Sequence, residues 1–550
     1  MRSAVLITMD TTRWDAVGYH GVHPGISPHL DALASESVVY EAARTVTPLT
    51  LPSHASMLTG LYPPRHTVRD NGYRPLPRSA FTLAEAASER RMQTAAFVAA
   101  TVMDEAFGLN QGFEVFEAPE RPSKRSGALV PELTGSVIAE AATAWIRGRD
   151  KEQPFFLWVH LFDPHAPYAP PKEFLGGATG NNAYHGEIAY MDDAIGRVMD
   201  ALREDGSLDE TTVLVVADHG EGFGAHSENT HGHLVYDSTL KVPFLLRHPD
   251  GYRAGERSDE LVSVVDVFPT LTDAMGLPGA SNVDGYSLFR SEVPEDRGVY
   301  FEAFSGYIGF NWSPIAGWLD KDGKYIHSSQ PEFYDLATDP GEESNRIDAE
   351  GTDVEPYLRA IALLIQERPL EIGEDEILDG GVSEMLRGLG YTATGPLAGG
   401  LPNPLQPNDL PSPAQVIQVY EQCQAALRLA NLGNHAEAVR RFQAIVDRNP
   451  RNWFALEQLG RGLVNLKRHE EALPHLQLLV SEGPQRGSCY FNLGICLYNL
   501  RRYDEGIETM WKAHAMDPQE PHFLETLIVM LEGIDRHSET ARVRALLEEL

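Results

Sequence analysis

At 550 residues the chain has room for two to four domains, and 79 Asp and Glu against 45 Lys and Arg leave it a formal net charge of -34. That charge opposes long-range attraction to nucleic acid or an anionic membrane surface, so neither is an expected partner, and a phosphate-bearing substrate must be drawn by local cations. Its three cysteines, Cys423, Cys489 and Cys496, imply no disulfide framework. Met1-Arg2-Ser3 leads directly into an apolar strand, which does not read as a secretory leader, and no stretch approaches the roughly 18 uncharged apolar residues of a membrane span. A reducing, cytoplasmic location is the expectation.

The first element is the apolar run Ala4–Met9, which ends at Asp10. The apolar spacing of Pro28–Ala34, with Ser27 as its cap, predicts a helix, and Val38-Val39-Tyr40 predicts a strand. The stretch TPLTLPSHASMLTG, Thr47–Gly60, places a hydroxyl, Thr50, before a small turn and a run of helix formers. A nucleophile there would sit at a helix N-terminus, where the dipole and free N–H groups favour an anion. Alone, the same stretch reads more readily as an ordinary helix cap with Pro near the first turn. Beyond it follow a strand at Thr94–Ala99, a helix at Glu132–Arg147, a strand at Phe155–Phe162 ending at Asp163, a helix at Asn182–Arg203 and a strand at Thr212–Ala217 ending at Asp218.

Near-continuous apolar runs suit strands buried on both faces of a parallel sheet, and their alternation with helices predicts a doubly wound α/β fold with helices on both faces. Ligands in such sheets sit at the carboxyl ends of the strands. Three aspartates at that edge, with His219, His231 and His233 close behind the third, point to a metal site. His226 reads as a loop histidine.

Residues 258–345 read as a smaller C-terminal part of the same domain, with a strand-to-helix junction at Glu260–Leu271 and an antiparallel hairpin of Tyr325-Ile326 with Phe333–Leu336. Composition shifts over residues 373–413. The acidic Glu374-Asp375-Glu376 and a short helical segment ending at Gly388 give way to GPLAGGLPNPLQPNDLPSP, the Pro and Gly density of a linker. A period of 34 residues then relates Pro450, Pro484 and Pro518, also Gly460 and Gly494, and Ala438, Ala472 and Gly506. That is the spacing of tetratricopeptide repeats, with small residues letting paired helices approach. The organisation read is residues 1–372 as a catalytic domain, 373–413 as a linker and 414–550 as an all-α repeat solenoid. The solenoid offers a groove for a protein or peptide partner, or a means of self-association. Trp453, Leu456, Tyr490 and Leu493 read as its core.

The stretches LITMDTTRWDAVGYHG, TLPSHASMLTGLYPPRHTVRDNG and ADHGEGFGAHSENTHGHLVYD, supported by VSVVDVFPTLTDAMGLP and FYDLATDPGEESN, resemble the sulfatase branch of the alkaline-phosphatase superfamily over roughly residues 3–345. The resemblance implies that Asp10, Thr50, Asp218 and His219 hold one divalent ion, with zinc or manganese favoured and calcium or magnesium compatible. For a second ion it offers Asp163, His165, His231 and His233. In the sulfatase branch the positions matching His165 and His231 contact the ester instead. The chain departs from the sulfatase pattern at one place: Thr50 and His54 stand where Cys or Ser, and Arg, occur in C/S-x-P-x-R. Threonine cannot become formylglycine, and Thr-x-Pro-x-His resembles the nucleophile motif of nucleotide pyrophosphatase/phosphodiesterases. The expected activity is therefore metal-dependent hydrolysis of a small phosphate monoester or diester by Thr50, with His54, His165 and Arg69 as charge partners. The alternatives are a sulfate-ester hydrolase working without formylglycine, and an idle scaffold acting through its repeats.

Overall fold

The computed structural model describes residues 1–120, 132–279, 282–289, 294, 297–373, 378, 397, 400–518 and 520–550. The acidic stretch Glu374-Asp375-Glu376, the helical segment expected to end at Gly388 and part of the Pro- and Gly-rich run lie outside the described residues. Two compact units result. One comprises residues 1–71, 75–303 and 315–376, the other residues 72–74, 304–314 and 377–550.

The first unit is built on an eight-stranded sheet of β1 (Ser3–Met9), β2 (Val38–Arg44), β3 (Gln93–Val98), β4 (Val115–Glu117), β5 (Phe155–Leu161), β6 (Thr211–Ala217), β7 (Phe244–Arg247) and β8 (Arg257–Ser263). Their order is β4-β3-β5-β1-β6-β7-β2-β8. The three longest apolar runs form the centre, β1 lying parallel between β5 and β6, and every residue of β5 and β6 is buried. The sheet is mixed rather than wholly parallel, because β7 runs antiparallel to both β6 and β2. The chain leaves β6 at the carboxyl edge, spends residues 218–243 there and re-enters from that edge, so β7 must run against its neighbours.

Helices pack in two groups. Gly135–Gly148 meets Ala183–Glu204, which meets Pro28–Ser35, while Thr50–Thr59 meets Val267–Met275. This is the α/β core expected, and a second, antiparallel sheet follows: β9 (Val299–Ala303), β10 (Ile315–Leu319), β11 (Lys324–His327) and β12 (Glu332–Tyr334) in the order β12-β11-β10-β9. The hairpin read from the sequence is its β11–β12 pair, Tyr325 opposite Phe333.

The second unit is helical. Gln418–Asn431 and His435–Val446, Trp453–Asn465 and His469–Glu482, Gly487–Asn499 and Tyr503–Met516, then Pro521–Glu532 and His537–Glu549 pack as successive antiparallel pairs. The small residues at the repeat period do what their spacing implies. A Cβ on Gly494 would lie 3.2 Å from the Gly506 carbonyl, a tight approach that glycine at both positions relieves. Cys423, Cys489 and Cys496 are free thiols, all buried. Among the described residues no helix is long and apolar enough to cross a membrane.

Ser27 does not cap its helix as the sequence implied. Its Oγ accepts instead from Gly18 N at 2.8 Å, and the helix's first N–H groups, His29 N and Leu30 N, are taken by the buried Asp192 carboxylate at 2.9 and 2.8 Å. Asp192→Ala orphans both donors and is expected to lower unfolding stability by about 2–3 kcal/mol without changing turnover per folded molecule. Urea unfolding and titrated active protein check this. A loss below ~0.5 kcal/mol would show that other groups satisfy those amides.

Candidate active site

The register of the central strands decides which aspartates meet. Met9 on β1 is paired with Ala217 on β6 and with Leu161 on β5. Asp10 and Asp218 directly follow their strands and lie side by side, whereas Phe162 follows β5, so Asp163 falls one position further out. Asp10 and Asp218 are both fully buried. Among the described residues neither oxygen of Asp10 has a hydrogen-bond partner. Asp218 Oδ1 accepts from Thr11 N at 3.2 Å and His219 N at 2.7 Å, while its Oδ2 has none.

Burial, and then the charge of Asp218, holds the Asp10 carboxyl well above the ordinary carboxylate range. Burial likewise pushes Asp218 up to about 7. Two such groups facing each other are costly unless a cation joins them. The arrangement is enforced by backbone strain: Thr11, β-branched, adopts φ 45°, and its N–H is the one Asp218 accepts.

His219 supplies the third donor. Its Nδ1 lies 3.0 Å from Gly220 O and so carries the proton, which leaves Nε2 as the acceptor, 3.5 Å from Asp218 Oδ2 and 3.8 Å from Asp10 Oδ1. Burial keeps this imidazole neutral. Gly220 is required beside it, because any Cβ there would collide with the Ser238 carbonyl. Ligand atoms of Asp10, Asp218 and His219 all lie within 4.8 Å of one another. Two carboxylates and a neutral imidazole suit a divalent ion.

Thr50 opens the helix Thr50–Thr59, as the sequence suggested, and its Oγ1 lies 3.4 Å from His219 Nε2. The helix is pinned to the metal-ligand edge by Ser53 Oγ, which donates to Asp218 O at 2.9 Å. Its N–H groups are not all free for an anion, since Leu51 N donates to Asn71 Oδ1 at 2.9 Å. The same Asn71 is fully buried and its Nδ2 has no hydrogen-bond partner among the described residues.

His54 lies on that helix, its Nδ1 donating to Thr50 O at 2.8 Å. Burial lowers it to about 4, so this position, an arginine in sulfatases, holds no fixed cation near neutral pH. His54, His160 and Asp218 form a second converging set. It fits an ion less well: Ala99 N donates to His160 Nδ1 at 3.4 Å, which leaves a proton on Nε2, facing Asp10 Oδ2 at 3.6 Å. That N–H faces Asp10 without reaching hydrogen-bond distance, and it leaves His160 no free lone pair for an ion.

His231 packs against His219 at 4.4 Å between rings and lies 5.2 Å from the His165 ring. Its Nδ1 is 3.2 Å from Glu221 Oε1, and Tyr168 Oη donates to the other oxygen of Glu221 at 2.9 Å. Burial opposes charging His231, but the Glu221 carboxylate outweighs it and raises the imidazole above its ordinary value. His165 donates from Nδ1 to Ala166 O at 2.7 Å and is held neutral, lowered to about 4 by burial and then by His231.

Five residues named from the sequence, Asp163, His165, His231, His233 and Arg69, are not brought into the converging sets. Asp163 Oδ2 accepts from Gly135 N at 2.7 Å and so serves the N-terminus of the helix Gly135–Gly148. The backbone of His233 donates to Glu228 Oε1 at 2.9 Å, and the imidazole is buried in neither set. The Arg69 guanidinium is engaged by both oxygens of Glu302, Nη2 to Oε2 at 2.6 Å, rather than held open for an ester. His226, read as a loop residue, stacks on Tyr236 at 3.6 Å. The sequence reading did not single out Asn71, His160 or Tyr168. Only the structure shows Asn71 folding back on the helix 20 residues before it, and His160 hides inside an apolar strand.

A buried O,O,N donor set able to hold a metal ion thus lies beside a hydroxyl at a helix N-terminus, on the carboxyl edge of an α/β sheet. Comparison with known proteins gives the family. A family model described as Sulfatase matches residues 2–277, one described as N-sulphoglucosamine sulphohydrolase, C-terminal, matches 230–360, and one described as Tetratricopeptide repeat matches 423–487 and 458–521. The first spans more than half of the chain, which therefore belongs to the sulfatase family of the alkaline-phosphatase superfamily and carries C-terminal tetratricopeptide repeats. It is 26% identical over 477 residues to an arylsulfatase of Clostridium perfringens (strain 13 / Type A), covering 70% of this chain and 97% of that one. It is 24% identical over 470 residues to the multifunctional alkaline phosphatase superfamily protein PehA of Trinickia caryophylli, covering 62% and 91%. The fold is similar to that of the phosphonate monoester hydrolase of Agrobacterium radiobacter, with a TM-score of 0.53 at 22% identity, over 64% of this chain and 92% of that one. The family assigns the protein as a hydrolase of sulfate or phosphate esters.

Asp10 and Asp218 hold protons to higher pH in the folded chain than in the unfolded one. Without metal their contribution to stability is therefore complete below the ordinary carboxylate value and is lost as pH rises through about 7 for Asp218. Chelator-treated protein is expected to melt at progressively lower temperature between pH 5 and pH 8, and Asp218→Asn is expected to flatten that decline. Thermal melts with chelator check this. An equal decline in wild type and variant would mean these carboxyls do not titrate as argued.

Proposed function

We propose that the protein hydrolyses phosphate esters, monoester or diester, with Thr50 as nucleophile. The observation that carries this reading is the Thr50 hydroxyl 3.4 Å from His219 Nε2, beside Asp10 and Asp218. Asp10, Asp218 and His219 would hold one divalent cation with Thr50, zinc or manganese favoured by the imidazole and calcium or magnesium compatible with the oxygens. Bound there, the cation would lower the pKa of the Thr50 hydroxyl and offset negative charge on the ester.

The chain's own residues supply the rest. His54 fixes the first turn of the helix by its bond to Thr50 O, so the hydroxyl is presented in one orientation. The partnerless Nδ2 of Asn71 is a buried donor beside the nucleophile, suited to a non-bridging ester oxygen. His231, raised above its ordinary value by Glu221 against the effect of burial, is suited to protonate the leaving oxygen. His165 keeps its Nδ1 on Ala166 O and walls the same space next to His231.

A second reading, sulfate-ester hydrolysis, is favoured by the sulfatase family match and the arylsulfatase relative. Thr50 counts against it, since a β-methyl carbon prevents oxidation to formylglycine. We place the protein in the cytoplasm with its thiols reduced, its repeats serving a protein partner or self-association. Thr50→Ala is expected to cut turnover at least ~10³-fold with metal retained, and Thr50→Ser to keep measurable turnover, because a hydroxyl remains. Steady-state rates on aryl phosphate, phosphate diester, phosphonate monoester and aryl sulfate, with metal analysis, decide it. A Thr50→Ala protein near wild-type rate removes Thr50 from the chemistry, and turnover confined to the sulfate ester favours the second reading.

A further inference from the structure

Residues 304–314 stand between β9 and β10 in the chain, yet they belong to the helical unit. They form a short helix, Ser305–Phe310, followed by Asn311 at φ 53°. Phe310 is fully buried, stacked on Trp312 at 4.7 Å, with Tyr420 at 5.9 Å and Phe454 at 5.8 Å. Tyr420 and Phe454 lie on the first helices of the first and second repeats. Asn449, in the turn joining those repeats, donates from Nδ2 to Phe310 O at 3.0 Å. That satisfies one of the orphan carbonyls at the end of the short helix. Ser313 N donates to Pro411 O at 2.9 Å. A second cluster joins Phe304 and Ile308 to Tyr73, flanked by Tyr307, Leu397 and Leu401.

We propose that the first two repeats are a receptor for this chain's own residues 304–314 rather than an open peptide groove, and that seating this segment positions the nucleophile helix. A foreign peptide would have to displace Phe310 and Trp312 from their aromatic partners and break the Asn449 cap. The route back to the site is covalent and short. Tyr73 stands two residues after Asn71, whose Oδ1 holds Leu51 N. Phe304 stands two residues after Glu302, which holds Arg69 and accepts from Tyr300 Oη at 2.6 Å. Fixing Tyr73 against Phe304 therefore fixes both ends of the stretch 69–73, and with it the first turn after Thr50. Asn449 and Phe310 are positioning residues in this account, since neither touches the reacting atoms.

The test uses the full chain with metal bound and two variants, Phe310→Ala and the milder Asn449→Ala. Hydrogen-exchange mass spectrometry is read over residues 50–60 and, as an internal standard, over β5, alongside kcat and KM on an aryl ester. The expected result is faster exchange in residues 50–60, ~10-fold for Phe310→Ala and ~3-fold for Asn449→Ala, with β5 unchanged, metal retained and kcat lowered at steady KM. Wild-type exchange in residues 50–60 in the variants would overturn the proposal. An equal rise in both segments would also overturn it, as general loosening. Should Phe310→Ala not fold, Asn449→Ala decides alone. Because exchange is measured without substrate, its outcome is independent of which ester the protein cleaves.

Discussion

Two carboxylates, Asp10 and Asp218, buried side by side with three oxygens that no hydrogen bond from the described residues satisfies, are the constraint on which the site depends. Burying one such charge without a partner costs several kcal/mol. A chain that buries two and aims a neutral imidazole between them is organised for a cation. The rest follows from holding that geometry: the shared register of β1 and β6, the strained Thr11, the glycine after His219, and Ser53 tying the Thr50 helix to the Asp218 carbonyl.

Charge is distributed with equal economy around that centre. His54, His165 and His219 are each kept neutral, chiefly by burial, while His231 alone among the imidazoles of this edge is raised, by Glu221. With a neutral His54 in place of a sulfatase arginine, the proposed reading leaves an anionic ester to be drawn by the cation that Asp10, Asp218 and His219 would hold. In a chain of net charge -34 that attraction must be local.

Much of this was legible in the sequence because it is written in local patterns. Apolar runs ending in aspartate located β1, β5 and β6, a hydroxyl before a helical run located Thr50, and a 34-residue period located the repeats. What was not legible is set by pairing at long range. The three aspartates look equivalent along the chain, and only the register that leaves Phe162 between β5 and Asp163 turns Asp163 into a helix cap. Arg69 reads as a free cation until Glu302, more than 200 residues later, is found to hold it. The antiparallel β7 was missed for the same reason, since an apolar run carries no sign of its direction.

The central claim is that Thr50 forms a covalent intermediate, and stereochemistry at phosphorus tests it most directly. An aryl phosphorothioate made chiral with oxygen isotopes would be hydrolysed and the configuration of the product determined. Attack by Thr50 followed by attack of water inverts the centre twice, so the account predicts net retention. Inversion would show a single displacement by water and would leave Thr50 a helix-capping residue.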